Sequence, residues 1–543
     1  MYLSAVPVKK IFLLFVILTL FINTSYSQED NSFDVLKYEL DLDLYNCFKE
    51  PISRAFTANE KISIITNISL NEISLNASNR SLNIESVSGA GVSYTHSNDL
   101  LNITLDKNYS AGENFDVIIN YSHNNLKDSA FYSYQGMVFT DCEPSKARRW
   151  FPCKDVPSDK ALTTVIATVP SNVLMCSVGS LTDSTVSGDK TTYKWESKDP
   201  VATYLVAVVA SYKFNLDIVY WKRPTGENME VRFYWQNGET QFNLKNVMSK
   251  IGKMLDLFSK LYGDYPFEKL AFATTNREFE WGGMENQTIV TLCPDCWTED
   301  LAAHELAHQW FGDLITPNSW ADIWLNEGFA TYLEAVWYGS QLGDARYKKL
   351  MRNEAVKYLA GNPGWAVYEQ SWDVSSPDSE NLFNTSITYS KSSCVIYMLR
   401  YVIGENLFDD IIYKYATNPE FMNGNINTLQ FINFINEQSG MDLNWFFDQW
   451  LYKPGHPDYN NNFITDEISD GKWKADYTIN QIQTNNVFYK MPVDIRIVFS
   501  NGKDTTITVS NDYNMQTYTF EFDNEPVKMI FDPENKIILK ELE

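Results

Sequence analysis

His304-Glu305-Leu306-Ala307-His308, followed after an 18-residue gap by Glu327, decides the reading of this 543-residue chain. On an α-helix, positions i and i+4 share one face, so both imidazoles can point at a single ion. Glu305 is offset by about a quarter turn from His304, close enough to reach a water at that ion without being a ligand. Glu327 supplies a third protein ligand and leaves a fourth position open. Two histidines and one glutamate with an open position form the donor set of a catalytic zinc centre, whereas a structural zinc is closed by four protein ligands. The competing reading is a plain helix with two surface histidines. Against it, the chain holds five histidines in all, and two of them fall in this spacing.

The flanks predict how the ligands are carried. Thr298 is placed to cap the first helix, with Glu299 and Asp300 in its first turn and Gly312 as its stop. Asn318 or Ser319 is expected to start a second helix that carries Glu327 and runs to about Gln341. A tight loop between the two then folds Glu327 back onto the histidines.

Outward from this core the periodicity changes twice. From Phe33 to about Phe214 the chain shows short alternating runs, such as Tyr38–Leu44, Lys61–Leu70 and Phe115–Tyr121, separated by Asn, Ser and Gly. After about Asp217 the spacing becomes helical, as in Phe242, Leu244, Val247, Ile251, Leu255 and Phe258 between Gln241 and Tyr262, and it stays helical to about Tyr452. Beyond Lys453-Pro454-Gly455-His456-Pro457 alternation returns in Trp473–Ile482, Val487–Phe499, Asp504–Val509 and Tyr518–Phe522. The fold class is therefore multidomain α+β. We expect an N-terminal β-sheet domain (28–215), a mostly helical catalytic domain (216–455) and a C-terminal β-sandwich (456–543).

Lys9-Lys10, the 12-residue apolar run Ile11–Ile22 and small residues at Ser25 and Ser27 predict a signal peptide over 1–27, cleaved near Ser27. The run is short for a membrane span. An extracytoplasmic location, periplasmic or secreted, follows as an expectation. The formal net charge of −25 and pI of about 4.7 disfavour nucleic acid and anionic membrane surfaces as partners. Seven cysteines leave at least one outside any intramolecular disulfide. Cys293-Pro294-Asp295-Cys296 has no second CxxC, so a local disulfide or two buried thiols are expected before a redox or metal motif.

Four further stretches complete the pattern. They are Trp281-Gly282-Gly283-Met284-Glu285-Asn286, Thr388-Tyr389-Ser390-Lys391, Ala147-Arg148-Arg149-Trp150-Phe151-Pro152-Cys153 and Trp450–Pro457. Together with the HELAH motif and Asn326-Glu327-Gly328-Phe329, they resemble the M1 family of zinc aminopeptidases, the gluzincins, over nearly all of the chain past residue 27. The resemblance implies a thermolysin-like catalytic domain and one zinc ion held by His304, His308 and Glu327. It implies Glu305 as general base, taking a water proton and passing it to the leaving amine, and Tyr389 as a donor to the oxyanion. It also makes Glu285 and Glu143 the carboxylates that bind the α-ammonium of a peptide with a free N-terminus. Gly282, Gly283, Met284 and the residues after Glu285 are expected to form an edge strand that pairs with the substrate backbone. Glu334 is the candidate partner for a ligating imidazole, the other reading being an exposed helix carboxylate.

Asp141 departs from the family, where many members carry Gln in the pocket for the first side chain. Three readings stay open: a preference for basic first residues, a calcium ion that turns the preference acidic, or no effect. Trp281 stands where calcium-binding members carry Thr. Asn286-Gln287-Thr288 is formally a glycosylation sequon, in a segment that the resemblance puts in the cleft. The large helical domain of long members is expected to be absent, and the oligomeric state is open. Two other classes are retained: a thermolysin-type endopeptidase, which would lack the amine-binding carboxylates, and a catalytically weak peptide-binding relative.

Overall fold

The computed structural model describes residues 31–541, so the expected signal peptide lies outside the described residues. The N-terminal part is built on one long sheet. Its strands run in the order Ser180–Ser187, Lys190–Glu196, Lys160–Pro170, Phe33–Asp43, Thr57–Thr66, Asn114–His123 and Leu82–Gly89. Neighbours are antiparallel except Phe33–Asp43 against Lys160–Pro170, which is parallel. Phe33, Val35, Tyr38, Leu40 and Leu42 point into the core. The step from Val35 to Tyr38 breaks the period of two, and a bulge in the register between Val35 and Lys37 absorbs it. A smaller sheet, in the order Leu174–Ser177, Val208–Ser211, Met137–Thr140 and Phe131–Tyr134, ends close to Asp141 and Glu143.

The catalytic region does not begin with helices. It opens on a mixed sheet in the order Phe214–Lys222, Asn228–Gln236, Leu270–Thr274, Ile289–Leu292 and Gly283–Met284. This corrects the reading of helical patterns from Asp217 onward. Leu270–Thr274 and Ile289–Leu292 are buried at every position, so they carry no alternation to distinguish them from buried helix. The helix Gln241–Tyr262 (α1) forms as expected, burying Leu244, Val247, Ile251, Met254, Leu255 and Phe258. Phe242 lies off that stripe and is 81% exposed. Two helices then carry the signature, Glu299–His308 (α2) and Trp324–Leu342 (α3), followed by Asp344–Gly361 (α4). Among the described residues no helix is long and apolar enough to cross a membrane.

Two three-stranded sheets close the chain. One runs Asn462–Ser469, Lys472–Ile479, Gln516–Phe522, and the other Asp504–Asn511, Met491–Phe499, Pro526–Phe531. The strands Asn462–Ser469 and Pro526–Phe531 escaped the sequence reading because few of their side chains are buried. The apolar core of this sandwich is continuous with that of the catalytic helices. The N-terminal core reaches across the other side of the cleft through Phe279, Met284, Trp320 and Ile323. Cys293 and Cys296 form the local disulfide, and Cys47, Cys142, Cys153, Cys176 and Cys394 are buried free thiols.

Candidate active site

The Thr298 side chain accepts a hydrogen bond from Leu301 N and caps α2, a contact of the kind worth about 1 kcal/mol. The helix ends at His308 rather than running to Gly312. Gly312 has φ +142, and a Cβ there would lie 3.0 Å from Asn326 Nδ2 and 3.3 Å from His308 O. Its small size serves the packing of this turn against α3. Ser319 does cap, but what it caps is a single 3₁₀ turn, Trp320–Asp322, with Asp322 completing a capping box. Asp322 Oδ1 also accepts from Thr428 N and Thr428 Oγ1, both at 2.7 Å, which anchors the start of α3 to a later helix. Glu327 then falls in the first turn of α3. At Gly328 a Cβ would lie 2.8 Å from Ser392 Cβ, so glycine lets α3 approach the helix Ser392–Ile403.

These local choices bring three donors to one point. His304 Nε2 and His308 Nε2 lie 3.1 Å apart. Glu327 Oε2 lies 3.2 Å from the first and 3.5 Å from the second. His304 Nδ1 is 2.8 Å from Glu334 Oε1, and His308 Nδ1 is 3.1 Å from Phe311 O. Both partners are acceptors, so each Nδ1 donates and each Nε2 presents a lone pair. Two lone pairs and a carboxylate facing one another at these distances need a cation between them. Ligand–metal bonds of about 2.0–2.1 Å in a tetrahedron give donor–donor edges of about 3.3–3.4 Å, so the three residues fit zinc. Among the described residues this is the one cluster of three or more such side chains whose donor atoms converge in this way.

The cluster opens into a cleft of about 280 Å³. Glu143 reaches it from the N-terminal domain, Glu285 from the end of the edge strand, Glu305 from α2, and Glu327 and Glu334 from α3. Burial pushes the Glu305 carboxyl up to about 8, opposed by His304 and His308. Burial also raises Glu143, with Glu285 and Glu327 adding to it, and raises Glu285 against the pull of His308. At Glu327 burial is overcome by the two imidazoles, which hold it at about 2. Glu143 Oε1, Glu285 Oε1 and Glu305 Oε2 are buried without a hydrogen-bond donor. Buried acceptors in this state are costly, and here they face a cleft that cations can enter.

The edge strand is shorter than expected. Gly283 and Met284 pair antiparallel with Leu292 and Thr291, but the residues after Glu285 turn inward. Asn286, Gln287 and Thr288 are all buried, so this sequon is closed to glycosylation in the folded protein. A methyl group at Gly283 would overlap Glu305 Oε1 and lie 2.6 Å from its Cδ, which shows how closely the strand covers that carboxylate. Tyr389 sits in a π-helical segment, Thr385–Lys391, capped by the Asn384 side chain and continuing into Ser392–Ile403. Its ring stacks beside that of His304, with centroids 6.1 Å apart. Trp281, Met284, Leu301 and Phe383 supply apolar walls. Leu301 and Phe383 belong to no motif, and nothing in their local sequence marked them.

Asp141 is not a wall of the cleft. It lies one layer behind, where its Oδ2 accepts from Lys146 Nζ at 3.0 Å and from Trp281 Nε1 at 3.3 Å. The ammonium of Lys146 already stands beside the carboxylate on which the basic and calcium readings rested.

A helix pair carrying two histidines and a glutamate to one point, roofed by an edge strand and flanked by β domains, defines a protein of the HExxH-plus-glutamate metal-centre class. Two family models match successive parts of the chain, the Peptidase M1 N-terminal domain over residues 35–205 and the Peptidase family M1 domain over residues 246–450. The chain belongs to peptidase family M1. It is 28% identical over 368 residues to Aminopeptidase M1 of Arabidopsis thaliana, a match covering 65% of this chain and 39% of that protein. The chain thus spans well under half the length of this curated relative. Among solved structures, an M1 zinc metallopeptidase of Deinococcus radiodurans bound to a Tyr-Ser-Ala substrate superposes with a TM-score of 0.68 at 22% identity, covering 78% of this chain and 94% of that one. Aminopeptidase A of Legionella pneumophila, in complex with aspartic acid, gives a TM-score of 0.77 at 18% identity, covering 95% of this chain and 60% of that one. These likenesses show the fold: α+β, with a β-rich N-terminal domain, a helical catalytic domain and C-terminal strands.

Proposed function

We propose that this protein is a zinc-dependent aminopeptidase that hydrolyses the first peptide bond of peptides with a free N-terminus. The observation that carries the reading is the pairing of the three-donor metal cluster with two buried carboxylates, Glu143 and Glu285, each with an oxygen that lacks a hydrogen-bond donor, in one cleft. An endopeptidase has no use for such groups, because an internal residue brings no ammonium to the site.

Zinc held by His304, His308 and Glu327 would supply Lewis-acid polarisation of the scissile carbonyl and would lower the pKa of an attacking water. The chain's own residues do the rest. Glu143 and Glu285 accept hydrogen bonds from the substrate ammonium and set the register, so that the first peptide bond meets the metal. Gly283 and Met284, in the edge strand of their sheet, offer backbone to the extended substrate. Glu305 takes the proton of the attacking water at its carboxylate and returns it to the departing amine. Tyr389 donates its phenol O–H to the developing oxyanion, and burial, reinforced by Glu327, keeps that phenol protonated.

Free-amine recognition gives a direct test. Replacing Glu285 by Ala removes a charge-assisted hydrogen bond worth about 1.5–3 kcal/mol, so kcat/KM for free-amine substrates should fall by roughly one to two orders of magnitude. The native enzyme should leave N-acetylated peptides uncut, and efficient cleavage of such peptides would overturn the aminopeptidase reading.

The first side chain is expected to lie against Trp281, Phe383, Leu301 and Met284, favouring apolar or aromatic residues. With Lys146 neutralising Asp141, charge should not set selectivity. Asp141→Asn is then expected to change the relative rates on Arg, Ala and Glu amides by no more than about threefold, with or without calcium. A swing of tenfold toward one charge, or a calcium requirement, would restore the electrostatic role of Asp141.

A further inference from the structure

The turn that follows Glu285 is built against the preference of its own sequence. Ile289 N donates to Asn286 O at 2.9 Å, closing a four-residue turn. Its third residue, Thr288, has φ +67. Turns with a positive φ at that position take glycine or asparagine, and a β-branched residue there is strained. Such a conformation persists only where its surroundings over-determine it.

The surroundings are two buried side chains. Gln309, the residue after the second zinc-ligand histidine, accepts from Thr288 N at 3.0 Å and from Tyr265 Oη at 3.0 Å. Its amide nitrogen donates to Glu285 O at 3.1 Å and to Asp313 Oδ2 at 2.6 Å. Tyr265 Oη also lies 2.9 Å from Lys269 O, so its single proton is shared between two acceptors, while the other three positions of the amide are each used. Lys269 donates to Thr288 O at 3.1 Å, Thr288 Oγ1 at 2.9 Å and Ser177 O at 3.0 Å, spending all three of its N–H groups. Gly179 N, from the N-terminal domain, adds a bond to Thr288 Oγ1 at 2.9 Å. Glu285 is thus held on one side by strand pairing at Met284 and on the other by Gln309 and the clamped turn.

We infer that Gln309 and Lys269 are positioning residues for free-amine recognition, holding the Asn286–Ile289 turn so that Glu285 presents its carboxylate to the cleft. The inference rests on the reading that Glu285 binds the substrate ammonium, and it also makes the metal helix and the N-terminal domain joint supports of that carboxylate. A role in stability alone would lower all activities together. A positioning role lowers discrimination for the amine.

The test compares kcat/KM on an aminoacyl chromogenic amide with that on its des-amino analogue, in metal-loaded native protein, Gln309→Met, Lys269→Met, Glu285→Ala and the double variant Gln309→Met/Glu285→Ala. Glu285→Ala should cut the ratio of the two by roughly 10–100-fold. Each Met variant should cut it by roughly 3–10-fold, through KM of the amine substrate, with metal content unchanged. The double variant should discriminate no worse than Glu285→Ala. Gln309→Glu, which keeps the acceptor bonds and loses the donors, replaces Gln309→Met should that variant not fold, and the same fall is expected. Native discrimination in the Gln309 and Lys269 variants beside a collapse in Glu285→Ala would overturn the clamp and leave the amine-binding reading standing. An unchanged ratio in Glu285→Ala would overturn both.

Discussion

Glu305→Gln is expected to keep about one zinc per chain while turnover falls by roughly 10²–10⁴-fold or more. The substitution preserves the shape of a side chain packed under Gly283, where even a methyl group would overlap its carboxylate. It removes the proton acceptor and nothing else. The donors of the metal cluster, His304 Nε2, His308 Nε2 and Glu327 Oε2, do not include any atom of Glu305. Metal content and activity should therefore separate. Parallel measurement of zinc stoichiometry and kcat decides the matter, since loss of zinc with loss of activity would make Glu305 a ligand and leave the reaction without its base.

His308→Ala should do the opposite and abolish both together. It leaves His304 Nε2 and Glu327 alone in a pocket built for three donors, and zinc stoichiometry should fall well below one per chain after dialysis. Glu334→Gln offers a graded version. Its Oε1 sits 2.8 Å from His304 Nδ1 and orients that imidazole, and loss of such an outer partner typically costs about 10–100-fold in metal affinity. Titration with a chelator should therefore order the proteins as native, then Glu334→Gln, then His308→Ala. Full activity retained in metal-free native protein would remove the basis of the zinc assignment.

Much of this site was legible in the sequence for a local reason. Helical geometry fixes what i and i+4 can reach, so the spacing of His304 and His308 is by itself enough to mark them as candidate ligands of one ion. Caps are local too, and Thr298 and Ser319 both act as N-caps, although Ser319 caps a 3₁₀ turn ahead of α3. Half-buried strands such as Asn114–His123 announce themselves by alternation, which is why the β domains were readable at both ends of the chain. The inner strands of the central sheet, Leu270–Thr274 and Ile289–Leu292, were not, because strands covered on both faces lose that alternation and become short apolar runs like any buried segment.

What only the tertiary structure decided is everything that depends on two distant segments meeting. Tyr389 could be singled out by family resemblance, but its π-helical turn beside His304 follows from packing among α3, α4 and Ser392–Ile403. Asp141 shows the difference most clearly. Its carboxylate, read alone, left a basic preference, a calcium ion and no effect all open, whereas in the structure Lys146 and Trp281 contact that carboxylate one layer behind the cleft wall. The strain at Thr288 and the amide of Gln309 that holds it in place are likewise invisible in sequence, since 21 residues separate two groups that share one hydrogen bond. The chain's own periodicities and local spacings determined which residues could hold a metal and which carboxylate could reach a water beside it. Side-chain pairing across elements decided how Glu285 is held in the cleft and which charges are already spent, because a long-range hydrogen bond leaves no period in the sequence that makes it.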